Sequence, residues 1–281
     1  MSAILLRVIL FLLHKIIFLM LCVFSLTAFA QNATISYELI YKPNPDQKDK
    51  IKKQQYKLDI LQGKSVFRTE TRRASDSLIN KTGFGSGYNT DPYFELYLTK
   101  EQDHAVIKKH FVSPMSRDRF FIKIEDQLKW KILPETAVIA NFNCQKAEVE
   151  YGGRNWSAWF TKEIAVSEGP YYFHGLPGLI LQIQDEREDY IFTATEIKNL
   201  ADHSLYETEN GKQITWNQFN KILQNYFDSP YSFAKTKGMK VVQDNGNGGT
   251  VEINYRERTK ETQKMLLENN NPIELNYKID Y

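Results

Sequence analysis

Cysteine is nearly absent: the 281 residues contain two, Cys22 and Cys144. Cys22 falls in an N-terminal stretch of leader character, so the rest of the chain holds one thiol and no internal disulfide can staple it. An excess of one charge is missing too. The chain has 36 basic and 34 acidic residues, and Arg7 and Lys15 lie in the leader, so the remainder balances at 34 of each. That balance, with short clusters such as Arg72-Arg73 offset by nearby acids, excludes the basic surface expected of a nucleic-acid binder. Histidine is sparse and scattered. His104, His110, His174 and His203 show neither HxH nor i, i+4 spacing, so no local metal face is predicted. Phosphate and nucleophile motifs are lacking as well: Gly83-Phe84-Gly85-Ser86-Gly87 fits neither GxGxxG nor GxSxG. No internal repeat is present. No catalytic, cofactor-binding or metal-binding residue is therefore predicted, and no cofactor.

The first thirty residues differ from the rest. Arg7, His14 and Lys15 supply positive charge without acids, Ile16 to Ala28 is apolar, and Ala28-Phe29-Ala30 fits an A-x-A cleavage site. The pattern predicts a signal peptide over residues 1–30, cleaved after Ala30, and one β-rich domain over 31–281. The alternative is an uncleaved anchor, since the apolar run from Ile4 to Leu13 lengthens the segment beyond the ~20 residues that span a bilayer. With cleavage, no stable transmembrane anchor remains.

Along the mature chain the dominant period is two. Thr34–Tyr41, Tyr56–Ile60, Ser65–Thr71, Tyr93–Thr99, Ala105–Val112, Arg119–Glu125, Gln127–Leu133, Phe142–Tyr151, Asn155–Lys162 and Tyr190–Ile197 read as strands at the spacing of an antiparallel meander. Gly152-Gly153 predicts a hairpin turn. Arg72 to Pro92 lacks periodicity and is expected to be a loop. After Thr215, apolar residues recur every three to four positions from Trp216 to Tyr226 and predict a capped helix, and Glu257 to Asn269 a second. The alternation from Ile273 to Tyr281 predicts a closing strand. The expected fold class is α+β, predominantly antiparallel β: a long curved meander sheet with one or two amphipathic helices packed on it.

The chain is organised around GPYYFHGLPGLILQIQDE, residues 169–186. Leu176-Pro177-Gly178-Leu179 predicts a type II turn with φ > 0 at Gly178, and Leu179, Leu181 and Ile183 are expected to share a buried face, with Ile180 on the other. Gly169, Pro170, Phe173, Gly175, Leu176, Pro177, Gly178, Leu179 and Ile180 form a motif of structural character. Trp156, Trp159, Tyr171, Tyr172 and His174 are the candidate ligand surface, with core packing the competing role for each. Cys144, in an apolar run, is expected to be a buried structural thiol.

GLPGLI at 175–180 resembles the signature of the GLPGLI family. Tyr37–Asn44, Asn143–Ala147, Gly153–Phe160, Gly169-Pro170 with Phe173, and Asn270–Leu275 are similar to family segments, so the likeness spans most of the mature chain. The resemblance implies an exported bacterial envelope protein of unknown biochemical function and carries over no catalytic residue. The expected location is the periplasm or outer-membrane periphery of a Gram-negative bacterium. The expected role is a non-enzymatic binding module for an apolar ligand, lipid or envelope protein partner, on the concave face of an aromatic-rich sheet. A hydrolase drawing on residues 72–92 and the surroundings of His174, or a structural accessory of an outer-membrane complex, are the rivals.

Overall fold

The computed structural model describes residues 32–86, 95–101, 104–200, 204–206 and 211–281; the predicted signal peptide and its expected cleavage after Ala30 lie outside them. Alternation makes the sheet, because each strand buries one row of side chains. In Asn32–Tyr41 (β1), Ile35, Tyr37, Leu39 and Tyr41 are all buried. On one side of β1 lie Lys52–Leu61 (β2), Lys64–Thr69 (β3), Tyr97–Glu101 (β4), Val106–Val112 (β5) and Arg119–Ile124 (β6), edged by the short Lys212–Gln213 (β12). On the other lie Tyr190–Asn199 (β11), Leu179–Asp185 (β10), Arg154–Thr161 (β9), Phe142–Tyr151 (β8) and Lys131–Ile139 (β7). Two meanders are thus joined where β1 pairs with β11, in one 12-stranded sheet that is antiparallel throughout except at β12 on β6. A separate hairpin pairs Val242–Asp244 (β13) with Thr250–Glu252 (β14).

The helices among the described residues are Glu70–Thr82 (α1), Trp216–Asp228 (α2), Ser232–Thr236 (α3) and Tyr255–Glu268 (α4). The predicted capped helix is α2: Thr215 and Gln218 form a capping box, and Phe219 and Leu223 pack on Phe111 of β5 and Ile122 of β6. The second predicted helix is α4. The Gly152-Gly153 turn also forms as expected, both glycines having positive φ, +65° and +76°.

Several local expectations are corrected. Residues 70–82 are helical, not a loop: Thr69 caps the helix by accepting from Arg72 N–H, and Gly83 ends it at φ +81°. The helix escapes periodicity because its buried residues are Arg72, Ser75 and Asp76, a polar face with no apolar stripe. Residues 87–92 of that expected loop lie outside the described residues. Residues 273–281 form no strand; Leu275–Tyr277 is a 3-10 turn, because Ile273, Glu274 and Ile279 are each drawn into separate buried contacts. The strand expected at 127–133 begins at Lys131 and runs past Pro134 to Ile139, with its register broken between Ile132 and Thr136. As the edge of the sheet, β7 can accommodate a proline that a central strand could not.

The sheet closes on residues 162–178. Lys109 of β5 donates to Tyr171 Oη at 2.8 Å, while the next residue, Tyr172, stacks on Tyr151 of β8 with ring centroids 4.5 Å apart. Those strands stand eight places apart in the sheet, about 38 Å if it were flat at ~4.8 Å per strand. Consecutive residues cannot bridge that distance, so the sheet must curl into a trough around its own plug. The concave face expected to receive a ligand is filled by this plug: Tyr171, Tyr172, Phe173 and Leu176 are at most 1% exposed.

Gly178 ends the plug with φ +150° and donates its N–H to Leu176 O at 2.8 Å. This is a three-residue turn centred on Pro177, not the type II turn expected, because the bond closes i to i+2. Ile180 is buried along with Leu179, Leu181 and Ile183, since β10 shifts register between Ile180 and Gln182 where it meets β9. Cys144 is 2% exposed, and burial raises its thiol above the ordinary range.

Candidate functional site

Burying the plug among strands also buries charge. Glu168, within it, accepts from Lys100 Nζ of β4 at 2.6 Å and pairs with His104 Nε2 at 2.9 Å. Burial alone would raise its carboxyl, but the adjacent Lys100 and His104 outweigh that and hold it down to about 2. Glu168 is therefore a carboxylate and can only accept, so the proton between the pair sits on His104 Nε2. His104 occupies the turn after β4 with φ +73°, a conformation uncommon for a residue with a side chain.

His174 stacks on His104 with centroids 4.2 Å apart and meets the Tyr172 ring edge-on. Both its ring nitrogens are buried without a partner among the described residues. Burial, reinforced by Lys100 and His104, lowers its pKa to about 3, so the ring is neutral at physiological pH. The Trp130 indole donates to His174 O at 2.7 Å and its ring lies against Phe173, which fixes this end of the plug. His104, His174 and Tyr172 wall an open pocket of about 570 Å³, completed by Ile107, Ile124 and the segment Glu125–Leu128.

Of the candidate ligand surface, the structure brings Tyr172 and His174 to this pocket and sends the rest elsewhere. Trp156 and Tyr171 are core residues at 1% and 0% exposure, because the plug covers that face of the sheet. Trp159 is half-buried and packs against the main core. Within the motif, Gly169, Pro170, Phe173, Leu176, Gly178, Leu179 and Ile180 are buried, whereas Gly175 and Pro177 are exposed. Gly169 is needed for space: a Cβ there would stand 2.7 Å from Ile180 Cδ1 and 2.9 Å from Phe173 O. Sequence reasoning missed Lys100, His104 and Glu168, which are far apart in the chain and carry no spacing signal. Among the described residues no group of three His, Cys, Asp or Glu side chains is placed to hold a metal ion; His203 lies outside them.

On the outer face, Thr99 Oγ1 and His110 Nε2 are 2.9 Å apart, and Tyr97 stacks on the His110 ring. Burial, with Lys108 and Arg72 nearby, lowers His110 to about 3. An unfolded imidazole takes up its proton near pH 6.5, whereas the folded His110 and His174 do so only near 3. Their contribution to stability is therefore complete above pH 6.5 and is lost as the pH falls towards 3. Stability is expected to decline by about 2.7 kcal/mol per pH unit where both unfolded rings are charged and the folded ones are not. Urea unfolding between pH 7 and 5 checks this, and His110→Gln is expected to halve the slope; an unchanged midpoint across that range would contradict it.

A family model described as a protein of unknown function (Porph_ging) matches residues 153–182. The matched stretch is β9, the plug and the start of β10. No curated protein matches the sequence. Among solved structures, the chain is similar to PNGF-II in its C2 and P21 crystal forms, at 14% and 16% identity with TM-scores of 0.48 and 0.47. Each likeness covers 69% of this chain and 33% of the PNGF-II chain, so the likeness takes in about a third of those proteins' length. Among the described residues no helix is long and apolar enough to cross a membrane.

Proposed function

We propose that this chain is an exported, non-enzymatic binding protein of the bacterial envelope, a single domain whose ligand enters the pocket at the mouth of the plug. The observation that carries the reading is the pairing of His104 and His174 in the wall of that pocket. The two buried ring nitrogens of His174, without a partner among the described residues, are costly to leave unmet, by about 1–3 kcal/mol for each group. Membership of the GLPGLI family is supported by the position of GLPGLI, residues 175–180, inside the matched stretch. A lipid held in the trough is disfavoured, because the plug occupies it.

The hydrolase reading keeps one specific support. Glu168 behind His104 is how a carboxylate orients a general base. Among the described residues, however, the pocket wall contains no serine, threonine or cysteine to act as nucleophile, and binding is the better account. Ala105 is exposed on the pocket rim, so Ala105→Trp should fill the site without touching the core. Native mass spectrometry of protein purified from its own envelope is expected to show a bound species on the wild type that Ala105→Trp lacks, at equal melting temperature. A species retained by both, or absent from both, would refute the site.

A further inference from the structure

We infer that Asn247 is a site of self-modification: the Gly248 amide nitrogen attacks the Asn247 side chain, which loses ammonia and becomes an aspartyl or isoaspartyl residue, while Asn245 in the same loop is protected. Asn-Gly occurs at 210–211, 245–246 and 247–248; Asn210 lies outside the described residues. Glycine after asparagine favours the reaction, because without a Cβ its nitrogen approaches the side chain least hindered. The pairs at 245 and 247 share the exposed loop, residues 245–249, that joins β13 to β14. Their surroundings differ.

Hydrogen bonds restrain the first pair. Asp244 Oδ1 accepts from Gly246 N–H at 2.7 Å, and Asn245 Oδ1 accepts from the N–H groups of Asn247 at 2.9 Å and Gly249 at 3.1 Å. Gly246 N must shed its proton to attack, and a carboxylate bonded to that proton opposes its loss. The Asn245 amide also lies over Gly249, where an added Cβ would stand 3.0 Å from Asn245 Nδ2. Its backbone is held as well, since Asn245 N–H donates to Gly249 O at 3.0 Å beside the pairing of Asp244 with Thr250. The second pair lacks these restraints. No described residue bonds the Asn247 side chain or the Gly248 N–H, both residues are exposed, and a Cβ added at Gly248 would meet open space. The chemistry needs water alone. As the bond from Gly248 N to Asn247 Cγ forms, the Cγ–Nδ2 bond breaks, and the Gly248 proton leaves with Nδ2 as ammonia. Water then opens the cyclic imide at Cγ to give aspartate, or at the main-chain carbonyl carbon to give isoaspartate. Either product places a new negative charge near Asp244.

The test is a time course on the whole purified protein at physiological pH and temperature. Fragment-ion mass spectrometry of the tryptic peptide 241–256, which holds both sites, reads the conversion at each. Asn247 is expected to convert about tenfold faster than Asn245, the weight of roughly one charge-assisted hydrogen bond. In guanidinium chloride the two should convert at similar rates, because the unfolded chain offers both the same Asn-Gly chemistry. Asp244 is exposed, so Asp244→Ala should keep the wild-type melting temperature while raising the Asn245 rate towards that of Asn247. Equal rates at the two sites of the folded wild type, or Asn245 leading, would overturn the assignment. So would an Asn247 that stays intact in the folded protein while the unfolded chain reacts. An Asn245 as slow in Asp244→Ala as in the wild type would overturn its protection by the Asp244 carboxylate.

Discussion

Gly178→Val is expected to yield no stably folded protein. A Cβ at this position would stand 2.0 Å from Thr161 O, 2.7 Å from Thr161 C and 3.1 Å from Lys162 Cα. All are backbone atoms. Thr161 cannot retreat, because it pairs with Leu179 on one side and Cys144 on the other. The backbone at 178 also has φ +150°, a region that residues with a Cβ avoid. Steric overpacking of 1–3 kcal/mol, added to backbone strain of order 1–2 kcal/mol, gives about 4 kcal/mol, most of the stability of a marginal domain. The neighbouring Pro177→Ala is the control, since Pro177 is exposed and its loss should cost about 1 kcal/mol or less. Circular dichroism and soluble yield of the two variants are the readouts. If Gly178→Val melted like the wild type, the close approach of the plug to β9 would be wrong.

How far the sequence revealed this arrangement depended on whether a side chain's burial followed a period. The strands of β1, β2, β5, β8 and β9, the capped α2 and the Gly152-Gly153 turn were legible because apolar alternation or turn chemistry marked each locally. The polar helix α1 was not, since its inner face is held by ions: Arg72 reaches Asp76 at 2.9 Å and Glu95 at 2.6 Å, and Arg68 reaches Asp76 at 2.9 Å. Charged residues in a sequence read as solvated, and only tertiary pairing can bury them. The closing alternation from Ile273 to Tyr281 misled for the converse reason: its apolar residues do face inward, but towards two different clusters, so no ladder forms. The candidate site was half legible. His174 stood in the central motif, whereas Glu168 precedes it and His104 lies some seventy positions earlier, joined only when the plug enters the trough. The aromatic residues suggested a ligand surface because composition cannot tell a wall from a plug.

Arg154→Met is expected to be the other severe change, and it tests what closes the far end of the plug. The Arg154 guanidinium donates to Asp185 at 2.8 Å, to Asp189 at 3.2 Å, to Asn271 Oδ1 at 2.6 Å, and to the carbonyls of Pro272 and Ile273 at 2.8 and 3.1 Å. It thereby ties the hairpin that precedes the plug to the strand ends that follow it and to the C-terminal segment. Methionine fills similar volume but leaves two carboxylates buried, at 1% and 4% exposure, with Lys42 still 3.8 Å from Asp189. Removing one partner of a buried ion pair costs about 3–5 kcal/mol. Arg154→Lys should recover little, because an ammonium cannot reproduce the planar fork that meets five acceptors. Adding Asp185→Asn and Asp189→Asn to Arg154→Met removes the stranded charges and should restore a large part of the loss; Asp185 Oδ1 accepts from Tyr190 N–H at 2.8 Å, which an asparagine oxygen can still do. Amide exchange locates the effect: Leu275 N–H, bonded to Gly152 O at 2.7 Å, should exchange faster in Arg154→Met than amides of β1. A loss below about 1 kcal/mol, or a triple variant no more stable than the single one, would mean that packing of Ile273 alone holds the C-terminal segment and that the buried charges are incidental.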